Sequence, residues 1–273
     1  MEQKRYQTPF GPITYWVSVK DPAQAWLVFL PGLSADHTLF EKQTEYFSQI
    51  GNCLVWDAPA HGMSRPFELS FSMADLADWL YEILSAESAA SCILVGQSLG
   101  GYIAQAFLDR YPHMGCGFVS IDSCPLSRKY YTAWELALLK RTEGMYRSIP
   151  YVWLKRWGIH GVAQTTYGRA LMESMWSQYG KDEYCKLADH GYRILAEAVE
   201  TKPAYPIPCP VLLLCGTKDM AGSAKRYNRN WAKADGHTLI WLEGAGHNAN
   251  TDAPNRVNAL IEAFAAELSC DRS

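Results

Sequence analysis

Short apolar runs alternate with longer amphipathic stretches over most of this chain. That alternation predicts a mostly parallel sheet with helices between its strands. Ala25-Trp26-Leu27-Val28-Phe29-Leu30, Ser91-Cys92-Ile93-Leu94-Val95, Gly117-Phe118-Val119-Ser120-Ile121 and Pro210-Val211-Leu212-Leu213-Leu214-Cys215 are of strand length and almost wholly apolar. Residues 52–57 add a further strand, and 237–243 read as the last one. Runs like these suit strands buried on both faces. Residues 38–50, 72–85 and 99–111 read as helices. In the third, Ile103, Ala104, Ala106, Phe107 and Leu108 recur at helical spacing until Pro112 stops the pattern. Residues 255–268 form a final helix with Pro254 at its start. At the other end, residues 6–8 and 13–19 flank Pro9-Phe10-Gly11-Pro12, as in a hairpin.

The pattern divides the chain. Residues 1–124 and 206–273 carry the sheet scaffold, while 125–205 have the composition of an inserted helical cap. The insertion holds Trp134, Trp153, Trp157 and Trp176, nine tyrosines and no phenylalanine. Such side chains bury large area yet keep a polar tip, which suits the wall of a partly wet pocket. Most of them are expected to pack the cap onto the scaffold. A proline-rich stretch, Pro203 to Pro210, gives a stiff re-entry to the sheet.

Candidate chemistry lies where strands end. Gly96-Gln97-Ser98-Leu99-Gly100 follows a buried-strand run and opens a helix, so it reads as a nucleophile elbow. A serine there sits in strained backbone, and small residues two before and two after let strand and helix nearly touch. Ser98 is the predicted nucleophile. It needs a base, and seven histidines are available. His247 follows the last strand in Gly244-Ala245-Gly246-His247, at the carboxyl end where sites of such sheets gather. His237 lies at the wrong end of that strand. Two aspartates compete to orient His247, because Asp122 and Asp219 each end an apolar run. The chain order Ser, Asp, His and the Gly216-Thr217-Lys218-Asp219 turn favour Asp219. For the developing oxyanion, the backbone N–H groups of Leu99 and Leu33 are the expected donors, with Gly32 giving the second loop its room.

These blocks resemble those of the α/β-hydrolase superfamily over nearly the whole chain: Leu30-Pro31-Gly32-Leu33, Asp57-Ala58-Pro59-Ala60-His61-Gly62-Met63-Ser64, the elbow, Gly216 to Asp219, and Gly246-His247. The second block has Ala60 where glycine is usual in the family, and its His61 is expected to be structural. Pro31 stands where many relatives have histidine, and Asp252 stands near the place of a common glutamate. The resemblance implies the α/β-hydrolase fold and acyl transfer through Ser98, Asp219 and His247. A small to medium carboxylic ester or thioester is the expected substrate. A carbon–carbon bond hydrolase or lyase with the same triad is the alternative, and a ligand receptor on the same fold is a second.

Charge and cysteines narrow the setting. A net charge of −3 without a basic run gives no reason to expect nucleic acid. The cap carries 12 Lys+Arg against 8 Asp+Glu, which reads first as a solvated face. No stretch approaches membrane-spanning length, and the opening residues lack a signal peptide's apolar core. Eight singly scattered cysteines, without metal spacing, point to a reduced, cytoplasmic setting with neither metal nor cofactor.

Overall fold

The computed structural model describes residues 1–202 and 206–270. Its strands, in chain order, are β1 (Glu2–Thr8), β2 (Gly11–Ser18), β3 (Trp26–Leu30), β4 (Asn52–Trp56), β5 (Cys92–Gln97), β6 (Gly115–Ile121), β7 (Val211–Gly216) and β8 (Thr238–Leu242). They form one sheet in the order β1-β2-β4-β3-β5-β6-β7-β8. β2 runs antiparallel to β1 and β4, and every neighbouring pair from β4 to β8 is parallel. Eleven helices are described: α1 (Glu41–Phe47), α2 (Met73–Ala86), α3 (Leu99–Arg110), α4 (Ala133–Leu139), α5 (Thr142–Ser148), α6 (Tyr151–Val162), α7 (Thr166–Trp176), α8 (Lys181–Thr201), α9 (Ala224–Asp235), α10 (Ala249–Asp252) and α11 (Pro254–Cys270).

Apolar residues at both parities are what a sheet covered on both faces requires. On β3, Trp26, Val28 and Leu30 join a core with α2, α3 and α9, while Leu27 and Phe29 join a second core with α1 and α11. This is the α/β-hydrolase fold expected from the sequence. Three local expectations need correcting. Residues 38–50 are not one helix: the Asp36 side chain accepts from the Thr38 N–H and caps a 3-10 turn, His37–Phe40, before α1 begins. β5 runs on through Gly96 and Gln97 into the elbow. α9 lies in a stretch given no element above, although its buried Ala224, Tyr227, Asn228 and Trp231 keep helical spacing.

α4 to α8 lie between β6 and β7, across the span read as the cap. Pro203, Ala204 and Tyr205 of the expected re-entry lie outside the described residues. Several basic residues of the cap are spent on ion pairs at its surface, including Arg147 with Glu143 and Asp182, Lys186 with Asp182, and Lys140 with Glu200. Its aromatics divide: Trp176 is buried and stacks on Tyr184 at 4.5 Å, while Trp134, Trp153 and Trp157 are exposed. Among the described residues no helix is long and apolar enough to cross a membrane.

Candidate active site

The elbow is one residue wide. β5 ends at Gln97, α3 begins at Leu99, and Ser98 between them has φ 49° and ψ −116°. A non-glycine residue there costs on the order of 1–3 kcal/mol and persists only where its surroundings over-determine it. They do so here. The Ser98 N–H donates to the Ile121 carbonyl at 3.0 Å, and its own carbonyl accepts from Gly101 N–H and, at 2.7 Å, from Ser123 Oγ. Side chains at the neighbouring glycines would break the turn. A Cβ on Gly96 would stand 2.5 Å from the Gly101 nitrogen, and one on Gly100 would run into the Leu30 carbonyl.

His247 sits on the loop between β8 and α10, and its Nδ1 lies 3.0 Å from Asp219 Oδ2. Asp219 is buried in the turn after β7, and its other oxygen accepts from Ala221 N–H at 2.7 Å. A carboxylate on Nδ1 selects the tautomer with the proton there and leaves Nε2 free to accept. Ser98 and His247 line the same cavity of about 700 Å³. Burial by itself lowers the His247 pKa, but the charge and hydrogen bond of Asp219, with the charge of Asp122, outweigh it. The ring's pKa is therefore raised above its ordinary 6.5.

Asp122 occupies a different place. Its Oδ1 accepts from Gly216 N–H at 2.7 Å and its Oδ2 from Ala249 N–H at 3.1 Å. It thus ties the end of β6 to the end of β7 and to the start of α10. Burial, then the nearby Asp219 carboxylate, push its pKa well up, against the opposing pull of His247 and the two amides. Its carboxylate, that of Asp219 and the Cys215 thiol lie within 4.8 Å of one another. They make a poor metal site, because the carboxylate oxygens are engaged and burial pushes the thiol far up. The Asp36, His37 and Asp57 group is likewise occupied: Asp57 binds the His37 N–H, the His37 ring and the Met63 N–H, and Asp36 caps Thr38.

Leu33 and Leu99 both line the cavity. The Leu99 amide opens α3, where a helix has no acceptor of its own for its N–H and its dipole favours negative charge. His61 is buried beneath the site, with Nδ1 2.9 Å from the Pro59 carbonyl. His237 stacks edge-on against Trp231 just before β8.

Two residues that sequence reasoning did not single out hold the histidine loop. Gln97 Nε2 donates to the His247 carbonyl at 2.9 Å and to Asn248 Oδ1 at 3.2 Å. The Asp252 carboxylate accepts from Gly246 N–H at 2.8 Å and also from the N–H groups of Gln164 and Thr165 in the cap. One carboxylate thus joins the loop to the α6–α7 connection. For Asp252 the only signal was its nearness to the family's glutamate position; for Gln97 there was none.

A model of the alpha/beta hydrolase family matches residues 27–260. The chain belongs to the alpha/beta hydrolase family. Among curated members, (E)-2-((N-methylformamido)methylene)succinate hydrolase of Acinetobacter baylyi is 24% identical over 244 residues, covering 87% of this chain and 89% of that protein. A 2-succinyl-6-hydroxy-2,4-cyclohexadiene-1-carboxylate synthase of Citrobacter koseri is 36% identical, but over 83 residues, 32% of its length. The solved structure of a thermophilic esterase from Thermogutta terrifontis superposes with a TM-score of 0.78 at 18% identity, covering 98% of this chain and 99% of that one. As an alpha/beta hydrolase, the protein is a hydrolytic enzyme acting on a small molecule.

Proposed function

We propose that this enzyme cleaves a carboxylic ester or thioester of small to medium size through an acyl-enzyme on Ser98. The single observation that carries the reading is the 3.0 Å contact of His247 Nδ1 with buried Asp219, beside a serine held in strained backbone on the same cavity. In the first half-reaction His247 Nε2 takes the Ser98 proton as Oγ attacks the carbonyl carbon. The negative charge passes to the carbonyl oxygen, toward the Leu99 and Leu33 amides. Collapse expels the alcohol or thiol, which takes the proton from His247. Water then repeats the cycle, with His247 as base, and releases the acid. Asp219 holds the tautomer and stabilises the imidazolium without itself taking the proton.

The carbon–carbon alternative keeps the same triad, and the partial match to a cyclohexadiene-carboxylate synthase is the observation in its favour. Ser98→Ala paired with mass spectrometry tests the nucleophile that both readings share, and a substrate comparison separates them. A fluorophosphonate should label wild-type protein at Ser98 and leave the variant untouched. Ester kcat should fall by up to about a millionfold in the variant. Ester turnover within tenfold of wild type would overturn the nucleophile. Slow ester cleavage beside fast cleavage of a vinylogous diketone would favour the alternative.

A further inference from the structure

The walls of the Ser98 cavity bear on what it takes. Among the described lining residues there is no lysine or arginine, and the acidic and histidine side chains are Asp122, Glu135 and His247. Glu135 is held as a carboxylate: burial opposes this, but hydrogen bonds from Tyr227, Thr132 and Arg226 win and bring it down to about 2. Arg226 is occupied by that same carboxylate. A substrate carboxylate entering this space would leave water for a cavity whose described lining offers no lysine or arginine to pair with it. The Tyr102 and Tyr131 side chains both line the cavity, and their hydroxyls meet at 2.9 Å. Much of the lining that the cap contributes is apolar, Leu138, Leu139, Met145, Ile149, Leu154 and Met172 among it.

The mouth is apolar as well. Trp134 and Leu138 on α4, Met145 on α5, Trp157 on α6 and Met220 after β7 all line the cavity, yet all are among the exposed large apolar side chains. Trp134 is 71% exposed, Trp157 59% and Met220 75%. Singly exposed apolar residues need no explanation, but five of them lining one cavity mark a binding surface.

We infer that the substrate is an uncharged ester or thioester with an apolar acyl chain of medium length, whose tail crosses the cavity and rests on the Trp134, Leu138, Met145, Trp157 and Met220 rim. This rests on the ester reading above and names its substrate class. The cavity volume is that of a site for a medium-sized organic ligand. Each CH₂ buried against such walls should favour binding about three- to fourfold.

The test compares kcat/KM of the wild-type enzyme on para-nitrophenyl acetate, butanoate, octanoate and hemisuccinate. Butanoate and hemisuccinate match in length and differ by one charge. Butanoate should exceed hemisuccinate by about 100-fold or more, the scale of a charge taken out of water without a partner. Octanoate should exceed acetate, and Trp157→Ser combined with Met220→Ser should lower that octanoate-to-acetate ratio by about tenfold. Hemisuccinate turned over as well as butanoate overturns the inference, as does a ratio unmoved by the double variant. Binding to Ser98→Ala, read by tryptophan fluorescence with methyl octanoate and monomethyl succinate, separates this inference from the chemistry. Binding of the first alone, in an enzyme that hydrolyses no ester, upholds the preference for an uncharged ligand with an apolar chain and removes the ester reading. Preference for the succinate, or binding of neither, removes the substrate class.

Discussion

Two buried aspartates end adjacent strands, and exchanging each for asparagine assigns their work. In Asp219→Asn the group facing His247 Nδ1 at 3.0 Å can present an NH₂, which favours the wrong ring tautomer. The expected loss in kcat is about 10⁴, with the nucleophile and the fold intact. In Asp122→Asn one of two oxygens that accept from Gly216 and Ala249 becomes a donor facing a donor. A buried amide left unmet, in place of a charge-assisted bond, costs about 1–3 kcal/mol after relief of the repulsion between the two carboxylates. In a domain of this size that is a fall in Tm of about 2–5 °C. Its effect on kcat should stay within about tenfold, since His247 keeps its partner. The pH profile carries an independent sign. Asp122's charge is one of the causes raising the His247 pKa, so its removal should move the rising limb of activity to lower pH. Steady-state kinetics across pH and thermal melts on the same preparations read all three effects. The reverse ranking, with Asp122→Asn crippling kcat and Asp219→Asn sparing it, would refute the reasoning and make Asp219 a turn residue.

Three further outcomes are expected. Wild-type kcat/KM should rise with pH and have its midpoint above 6.5, because the neutral ring is the base and its pKa is raised; a midpoint below that value would place the base elsewhere. Gln97→Leu removes the amide that holds the His247 carbonyl and Asn248, so kcat should fall by about 10- to 100-fold with KM little changed. Unaltered kcat would show that the loop keeps its place without Gln97. Ala60 sits at φ 67°, in the left-handed region, so Ala60→Gly should gain about 0.5–1 kcal/mol, seen as a Tm rise of about 1–4 °C. A lowered Tm would mean that the lost contacts of the methyl group outweigh the strain.

The sheet was legible because each inner strand declares itself locally: the Phe29 and Leu30 neighbourhood is apolar at both parities, over strand length and with a Pro31-Gly32 turn behind it. Asp219 and His247 were legible as a pair for a related reason, since each follows such a run at the same edge of the sheet. What was hidden depends on partners distant in sequence. Gln97 and the His247 carbonyl it holds are 150 residues apart, and nothing in either segment announces the other. Asp252 reaches 88 residues back to Gln164. α9 escaped because its outward face is rich in Lys, Arg and Asn, which masks the sparse apolar positions at 224, 227 and 231. The 3-10 turn before α1 depends on one side-chain bond from Asp36, which a periodicity cannot register.

The Asp252 carboxylate makes the cap less separable than its place between two strands suggests. Transplanting another cap onto this scaffold, or this cap onto another scaffold, is more than a matter of matching the two seams. The donor segment must bring N–H groups to where Gln164 and Thr165 now present theirs, or Asp252 is left with Gly246 alone. A half-buried carboxylate that has lost most of its donors is destabilised and free to turn. The first thing it would release is the loop that carries His247. Cap exchange in this enzyme is therefore an operation on the proposed base, and a chimera should be judged by its His247 titration before its substrate range is read.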